Sequence, residues 1–332
     1  MTAPEPHFDI LPSVLNGDTA DVYFRRTDKV LAAEGIDPLV DMEIFGREAG
    51  ILCGVAETCQ LLRQANFAGE LWSLDEGEAF EPKETAMRIV GRYKSFGIYE
   101  TAILGILASG SAWASAARRC VEAAGDVPVI SFGARHIHPK VADVMDYAAI
   151  VGGCATGSTS AGAALKGLAP SGTMPHALIL ILGDTVVAAK AFDRHIEPEV
   201  TRIVLIDTFH DEVEESLRVA EALGQNLWGV RVDTPSERGG VTPELVIELR
   251  YKLDLAGHSH VRIFVSSGLD PDKIRHFREH HAPIDGFGVG SCISGARPID
   301  FTGDLREIDG KPIAKRGRLP GRQDNPRLRR LI

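Results

Sequence analysis

Cysteine is scarce and unpaired in this sequence. Its five cysteines, Cys53, Cys59, Cys120, Cys154 and Cys292, form no CxxC motif and have no histidine nearby at zinc-finger spacing. That excludes a disulfide framework and a structural zinc site, and points to reduced thiols in a cytoplasm. Long apolar runs are also missing, with nothing near the roughly 20 residues needed to span a bilayer. The first residues, MTAPEPHFDILPSVL, have neither the basic start nor the continuous apolar stretch of a secretory signal. The expectation is a cytoplasmic protein with no membrane partner. Positive charge is in deficit, 36 Lys+Arg against 46 Asp+Glu for a net charge of −10, so a general nucleic-acid binder is excluded. What is present is the composition of a globular protein. With 332 residues and 44% hydrophobic side chains, there is enough chain for two domains or for one barrel with an added layer. Positive charge does collect in the tail, where Lys315, Arg316, Arg318, Arg322, Arg327, Arg329 and Arg330 face the single acid Asp324. This reads as a solvated or partly disordered end, with an anion-facing role as the alternative.

No internal repeat or low-complexity segment appears. Asp21-Val22-Tyr23-Phe24 opens a helix through Ala33, residues 69–84 read as hairpins turning at Glu76-Gly77, and residues 99–124 read as a helical hairpin broken near Ser109-Gly110-Ser111. After Gly125 the pattern becomes regular. Apolar runs at 127–133, 148–153, 176–183, 202–209, 227–234, 261–268 and 285–291 alternate with helical stretches such as 211–224 and 242–257. This alternation implies a parallel α/β sheet closing as a barrel, one strand short of the usual eight. Beyond Arg297 a hairpin about Asp309-Gly310 returns to the first domain. The expected organisation is an α+β domain over 1–124, an incomplete TIM-like barrel over 125–296, and a returning segment over 297–332.

In such barrels the chemistry sits on the loops after the strands. The first run ends in Phe132-Gly133-Ala134-Arg135-His136, with His138 and Lys140 behind, a cationic cluster suited to a polyanion. The second ends in Thr156-Gly157-Ser158. Glycines among Ser266-Ser267-Gly268 and Gly288-Val289-Gly290-Ser291 leave backbone N–H groups open to phosphate. Asp207 and Asp233 end adjacent strands, where they suit a divalent metal or ribose hydroxyls. Arg231 and Asp233, two apart on one strand, point to the same side. His176, alone at the start of a strand, reads as a packed structural histidine.

SFGARHIHPK, VGGCATGSTSAG, GTMPHALILILGD, VLIDTFHDE, VRVDTPSERGG, VSSGLD and FGVGSCIS follow in an order that resembles the nicotinate phosphoribosyltransferases, relatives of the nicotinamide and quinolinate enzymes among type II phosphoribosyltransferases. The resemblance covers nearly the whole chain. It implies that Phe132 stacks on the pyridine ring beside Arg135, with His136, Lys140, Thr156 and Ser158 around the substrate. Tyr23 would come from a neighbouring subunit, making the protein a homodimer or higher oligomer with shared sites. Arg231, Asp233 and Asp207 would serve nicotinate, ribose and Mg²⁺, while Ser267, Gly268, Gly288, Gly290 and Ser291 bind phosphate. His176 would be phosphorylated by ATP, which overturns its structural reading. The loop after the second strand carries no acid, which favours a carboxylate substrate over an amide.

The implied reaction joins nicotinate to 5-phosphoribosyl-1-pyrophosphate and releases pyrophosphate, in pyridine nucleotide biosynthesis. Quinolinate phosphoribosyltransferase, which decarboxylates, is the first alternative, and it would use the cations at 135–140 for its second carboxylate. A non-catalytic nucleotide-binding barrel is the second. An unrelated barrel isomerase or aldolase lacks a Lys or carboxylate base at a strand end.

Overall fold

In the strand Leu39–Gly46 apolar and acidic side chains alternate: Val40, Met42 and Ile44 face one side, Asp41 and Glu43 the other. Both sets are buried, so this strand is covered on both faces. In the computed structural model, which describes residues 6–332, it sits inside a six-stranded antiparallel sheet. The order across that sheet is 311–312, 301–308, 39–46, 85–92, 69–73, 329–330. Residues beyond 297 therefore supply three of its strands, at both edges, and the turn at Asp309-Gly310 joins two of them.

Much of the basic tail is tied to acids of the first domain. Arg318 and Lys315 reach Asp304 (2.8 and 3.2 Å), Arg322 pairs with Asp41, Arg327 with Glu84 (2.8 Å), and Arg329 with Asp75 (2.9 Å). The pairs of Arg327 and Arg329 are of small individual value, but Asp41 and Asp304 are buried, so the side chains that meet them answer a desolvated charge. Burial pushes the Asp41 carboxyl up to about 6, against the pull of Arg322 and Arg88.

Residues 99–124 differ from the expected helical hairpin, since Glu100–Ala124 is one unbroken helix. Its small residues are contact points, not breaks. Ser111 Oγ accepts from Cys53 N (3.1 Å), Ser115 Oγ accepts from Ile51 N (2.8 Å), and a Cβ at Gly110 would lie 3.0 Å from the Cys53 carbonyl oxygen. Ile103, Leu107 and Ala112 pack into the N-terminal core, whereas Ala117, Cys120 and Ala124 pack into the core of the following sheet. The change between units thus falls inside this helix. The stretch 69–84 also departs from a simple hairpin: Gly69–Ser73 pairs with Thr85–Arg92, and Ala79–Phe80 with Gly50–Ile51.

The second unit is a six-stranded, wholly parallel sheet in the order 156–157, 129–131, 286–289, 262–265, 229–232, 203–205. Among the described residues it has six strands, not the seven expected. Two expected strands are helices, Ala142–Val151 and His176–Leu182. A short apolar run reads alike as buried strand or helix, and here the flanking residues decide. Gly153 (φ +113°) ends the first helix, while Pro175 opens the second and Gly183 (φ +77°) closes it. The edge strands do not pair with each other among the described residues. The segment before His176 bridges them with single bonds, from Ser171 N to Gly157 O (3.0 Å) and from Met174 N to Ile203 O (3.4 Å). Val204, Leu205, Val230, Val232, Ile263, Val265, Phe287 and Val289 form the centre of this core. Helix Pro243–Leu255 covers it with Val246, Leu249 and Leu253 at helical spacing, and Thr242 Oγ1 caps it by accepting from Leu245 N (3.3 Å).

Candidate active site

The carboxyl ends of the parallel strands surround a cavity of about 510 Å³. Phe132, Arg135, His136, Ser158, Arg231, Asp233, Ser267, Gly268, Gly288, Gly290 and Ser291 all line it, so most of the residues singled out from sequence converge. A larger hollow of about 660 Å³ beside helix Val55–Gln64 gathers none of them.

Phe132 leaves the first strand and lies across the last. A Cβ at Gly288 would stand 2.3 Å from its ring, so only glycine lets the ring in. The Arg231 guanidinium sits 5.5 Å above the ring centre, donates to Thr173 Oγ1, and is 3.4 Å from Asp233 Oδ2. Ser266 Oγ donates to Asp233 Oδ1 (2.7 Å), which fixes the carboxylate on its other side. Burial lowers the pKa of Arg231, and Arg231 Nε has no partner among the described residues, so one donor is left for a ligand.

The opposite wall is made of backbone. Ser267 holds φ +83° and Gly268 φ +62°, and Lys273 Nζ donates to Gly268 O (2.7 Å), pinning the turn from outside. A serine in this region is strained, a cost usually tolerated only where a site needs the geometry. At Gly290 a Cβ would come within 3.1 Å of His136 Nε2, so the imidazole rests on the chain there.

His176 opens its helix instead of a strand, and its Nε2 lies 3.1 and 3.2 Å from the two oxygens of Asp207. The Asp207 side chain is 3% exposed and that of His176 37%, so the pair is anchored on the acid and open to solvent on the ring. The hydrogen bond to Asp207 raises the His176 pKa, with burial opposing. A raised folded-state value means that this pair contributes its full stability below about pH 6.5, the free histidine value, and loses it as pH rises through the raised one. Asp207→Asn is expected to move the His176 ring titration, followed by NMR, to lower pH; an unmoved titration would contradict the pairing.

Neither His176 nor Asp207 is among the residues lining the cavity, and three further expected residues lie elsewhere. Lys140 is exposed, with its backbone N bound to His138 Nδ1 (3.2 Å), and neither lines the cavity because a short helical turn carries both away from it. Thr156 does not line it either, since its Oγ1 donates to Ala169 O (2.7 Å). Tyr23 is on the first domain's helix Val22–Ala33, bound to Asp21 (3.2 Å).

Sequence reasoning missed Asp146. Fully buried in helix Ala142–Val151, its carboxylate accepts from Ser131 Oγ (2.8 Å), Thr159 N (2.9 Å) and Thr159 Oγ1 (2.8 Å). It ties the strand before Phe132 to the loop bearing Ser158. Reading the neighbouring run 148–153 as a strand hid the helix that holds this acid. Thr173 and Ser266, which hold Arg231 and Asp233, lie within GTMPHALILILGD and VSSGLD, but no role was read for either.

The two acids do not fit a metal ion held by the chain itself. Both Asp207 oxygens face His176, those of Asp233 face Ser266 and Arg231, and among the described residues no three His, Cys, Asp or Glu side chains gather as a ligand set.

Fold and site together define a two-unit α/β protein whose strand-end pocket combines an aromatic floor, a buried arginine–carboxylate pair and an open backbone wall. The chain belongs to the quinolinate phosphoribosyltransferase family: residues 21–111 match its N-terminal domain and residues 113–304 its C-terminal domain. Over 270 residues it is 32% identical to the nicotinate phosphoribosyltransferase pncB1 of Mycobacterium tuberculosis, covering 78% of this chain and 58% of that protein. A nicotinate phosphoribosyltransferase of Bacillus subtilis is 31% identical over 73% of this chain and 50% of its own length. The chain thus spans about half the length of these curated relatives. Among solved structures, a nicotinate-nucleotide pyrophosphorylase from Pyrococcus furiosus superposes with a TM-score of 0.87 at 44% identity, over 95% of this chain and 82% of that one. No helix among the described residues is long and apolar enough to cross a membrane.

Proposed function

We propose that this pocket transfers a phosphoribosyl group to the ring nitrogen of a pyridine carboxylate, and that the carboxylate is nicotinate. The observation that carries the reading is Phe132 lying beneath Arg231, with Asp233 alongside and the glycine-rich turns lining the same cavity. In that arrangement the pyridine stacks on Phe132, Arg135 and Arg231 take its carboxylate, and Asp233 holds the ribose. The open N–H groups near Gly268 and Gly290 take the 5-phosphate. The C1–O bond to pyrophosphate breaks as the N1–C1 bond forms, so positive charge grows on the sugar beside Asp233. No general base is required, because the ring nitrogen already carries its lone pair; the chain's work is alignment and charge stabilisation. Mg²⁺ enters with the diphosphate, as part of the substrate. In His176 the bond from Nε2 to Asp207 leaves Nδ1 as the free nucleophile, and we assign Nδ1 as the atom that takes the γ-phosphoryl of ATP. Tyr23 lies outside its own chain's pocket, in keeping with a second copy supplying it.

A quinolinate substrate is the second reading. The family description and the 44%-identical structure weigh more for it than the curated relatives' names weigh for nicotinate. The pocket itself weighs the other way. Of the four cationic residues in 135–140 only Arg135 and His136 line it, fewer than a second carboxylate calls for. Assay with nicotinate, phosphoribosyl pyrophosphate and Mg²⁺, with and without ATP, separates the two. We expect nicotinate mononucleotide, ATP stimulation, and no stimulation in His176→Ala. Turnover of quinolinate with release of CO₂ and indifference to ATP would establish the second reading instead.

A further inference from the structure

Two thiols with no part in the proposed reaction sit behind the phosphate end of the cavity. Cys292 follows Ser291 in the short helix Ser291–Ser294, and Cys120 is fully buried in the long helix Glu100–Ala124. Their sulfurs are 4.0 Å apart, about 2 Å more than a disulfide bond. Cys292 is partly exposed and Cys120 is not, so a dissolved oxidant meets one thiol while the other waits beside it. Contact with Cys120 holds the Cys292 thiol below its usual pKa, and Arg119 acts the same way; the same contact and burial push Cys120 up. One sulfur is thereby the nucleophile and its neighbour keeps its proton. Trp113 Nε1 donates to Ser294 O (3.1 Å) and pins the far end of the short helix, so a pull on residue 292 is taken up by Gly290 and Ser291.

We propose that Cys292 is an oxidation site that closes onto Cys120 as a reversible disulfide in the presence of a peroxide, and that closure weakens binding at the adjacent phosphate wall. The second half rests on the phosphate role given above to Gly290 and Ser291. In the first step the Cys292 thiolate attacks a peroxide oxygen, the O–O bond breaks, and a sulfenic acid forms with loss of hydroxide. In the second, the Cys120 sulfur attacks Cys292, the S–O bond breaks, and water leaves with the thiol proton. Overall two thiols and one hydrogen peroxide give a disulfide and two waters.

The full chain, reduced and then treated with hydrogen peroxide, is to be mapped by mass spectrometry without reduction, and its binding of ribose 5-phosphate measured by calorimetry. A peptide linking Cys120 to Cys292, lighter by two hydrogens than its separate parts, is expected. Affinity should fall about tenfold, as one charge-assisted hydrogen bond is lost, and return with dithiothreitol. Cys120→Ser should lose both effects while binding normally before treatment. Oxidation of Cys292 without the link would overturn the proposal. Reduced protein that turns over substrate yet keeps its affinity when linked sinks the coupling alone. Reduced protein that never binds ribose 5-phosphate sinks both the coupling and the phosphate reading.

Discussion

Arg231→Ala is expected to lower kcat/KM for the proposed phosphoribosyl transfer by about 10²- to 10³-fold, the loss seen when one preorganised donor is removed from a site built on electrostatics. The arginine is held on three sides, by Thr173 Oγ1, by Asp233 and by the face of Phe132. Its position is thus set before any substrate arrives. Arg231→Lys keeps the charge and loses the planar fork, so it should recover only part of the activity. Steady-state kinetics in both substrates provide the check, and an alanine variant within a few-fold of the parent would remove Arg231 from the mechanism.

Glu43→Ala should destabilise the fold by about 3–5 kcal/mol, the cost of breaking a buried ion pair from one side. Its carboxylate is fully buried, with Arg88 Nη2 at 2.8 Å and Arg306 Nε at 2.9 Å, and it also accepts from Gln323 N at 2.8 Å. Removing it leaves the buried Arg306 guanidinium without its counter-charge, leaves Arg88 with only Asp41 at 3.7 Å, and releases the tail segment around residue 323. Urea unfolding measures the effect. Glu43→Gln, which keeps an acceptor, should lose less, and equal losses in the two variants would show that the lost charge, not the lost acceptor, sets the cost.

Strand ends and motifs were legible because each is a local statement. Phe132, Arg231, Asp233 and the glycines of 268, 288 and 290 reach the cavity through the two-residue alternation of strands the sequence marks clearly. HALILIL was not legible in the same way: as a helix it buries only Ile179 and exposes Leu180, Ile181 and Leu182, so its apolar content mimics a core strand. The tail failed for the opposite reason. Arg322, Arg327 and Arg329 are answered by Asp41, Glu84 and Asp75, far back in the chain, and no window of local charge contains both partners. Asp146 was invisible because its ligands, Ser131 and Thr159, are ordinary residues that only the fold brings around one carboxylate.

The placement of the late strands sets an order of events during synthesis. The parallel sheet has all its strands once residue 289 has left the ribosome, whereas the sheet around Leu39–Gly46 lacks both edges until residues 301–330 follow. In that interval the strand Leu39–Gly46 carries one unpaired ladder of N–H and C=O groups, and its two acids have Arg88 but not yet Arg306 or Arg322. The first part of the chain to be made is the last to be finished, and the nascent protein is most prone to pair with a neighbour along that open edge.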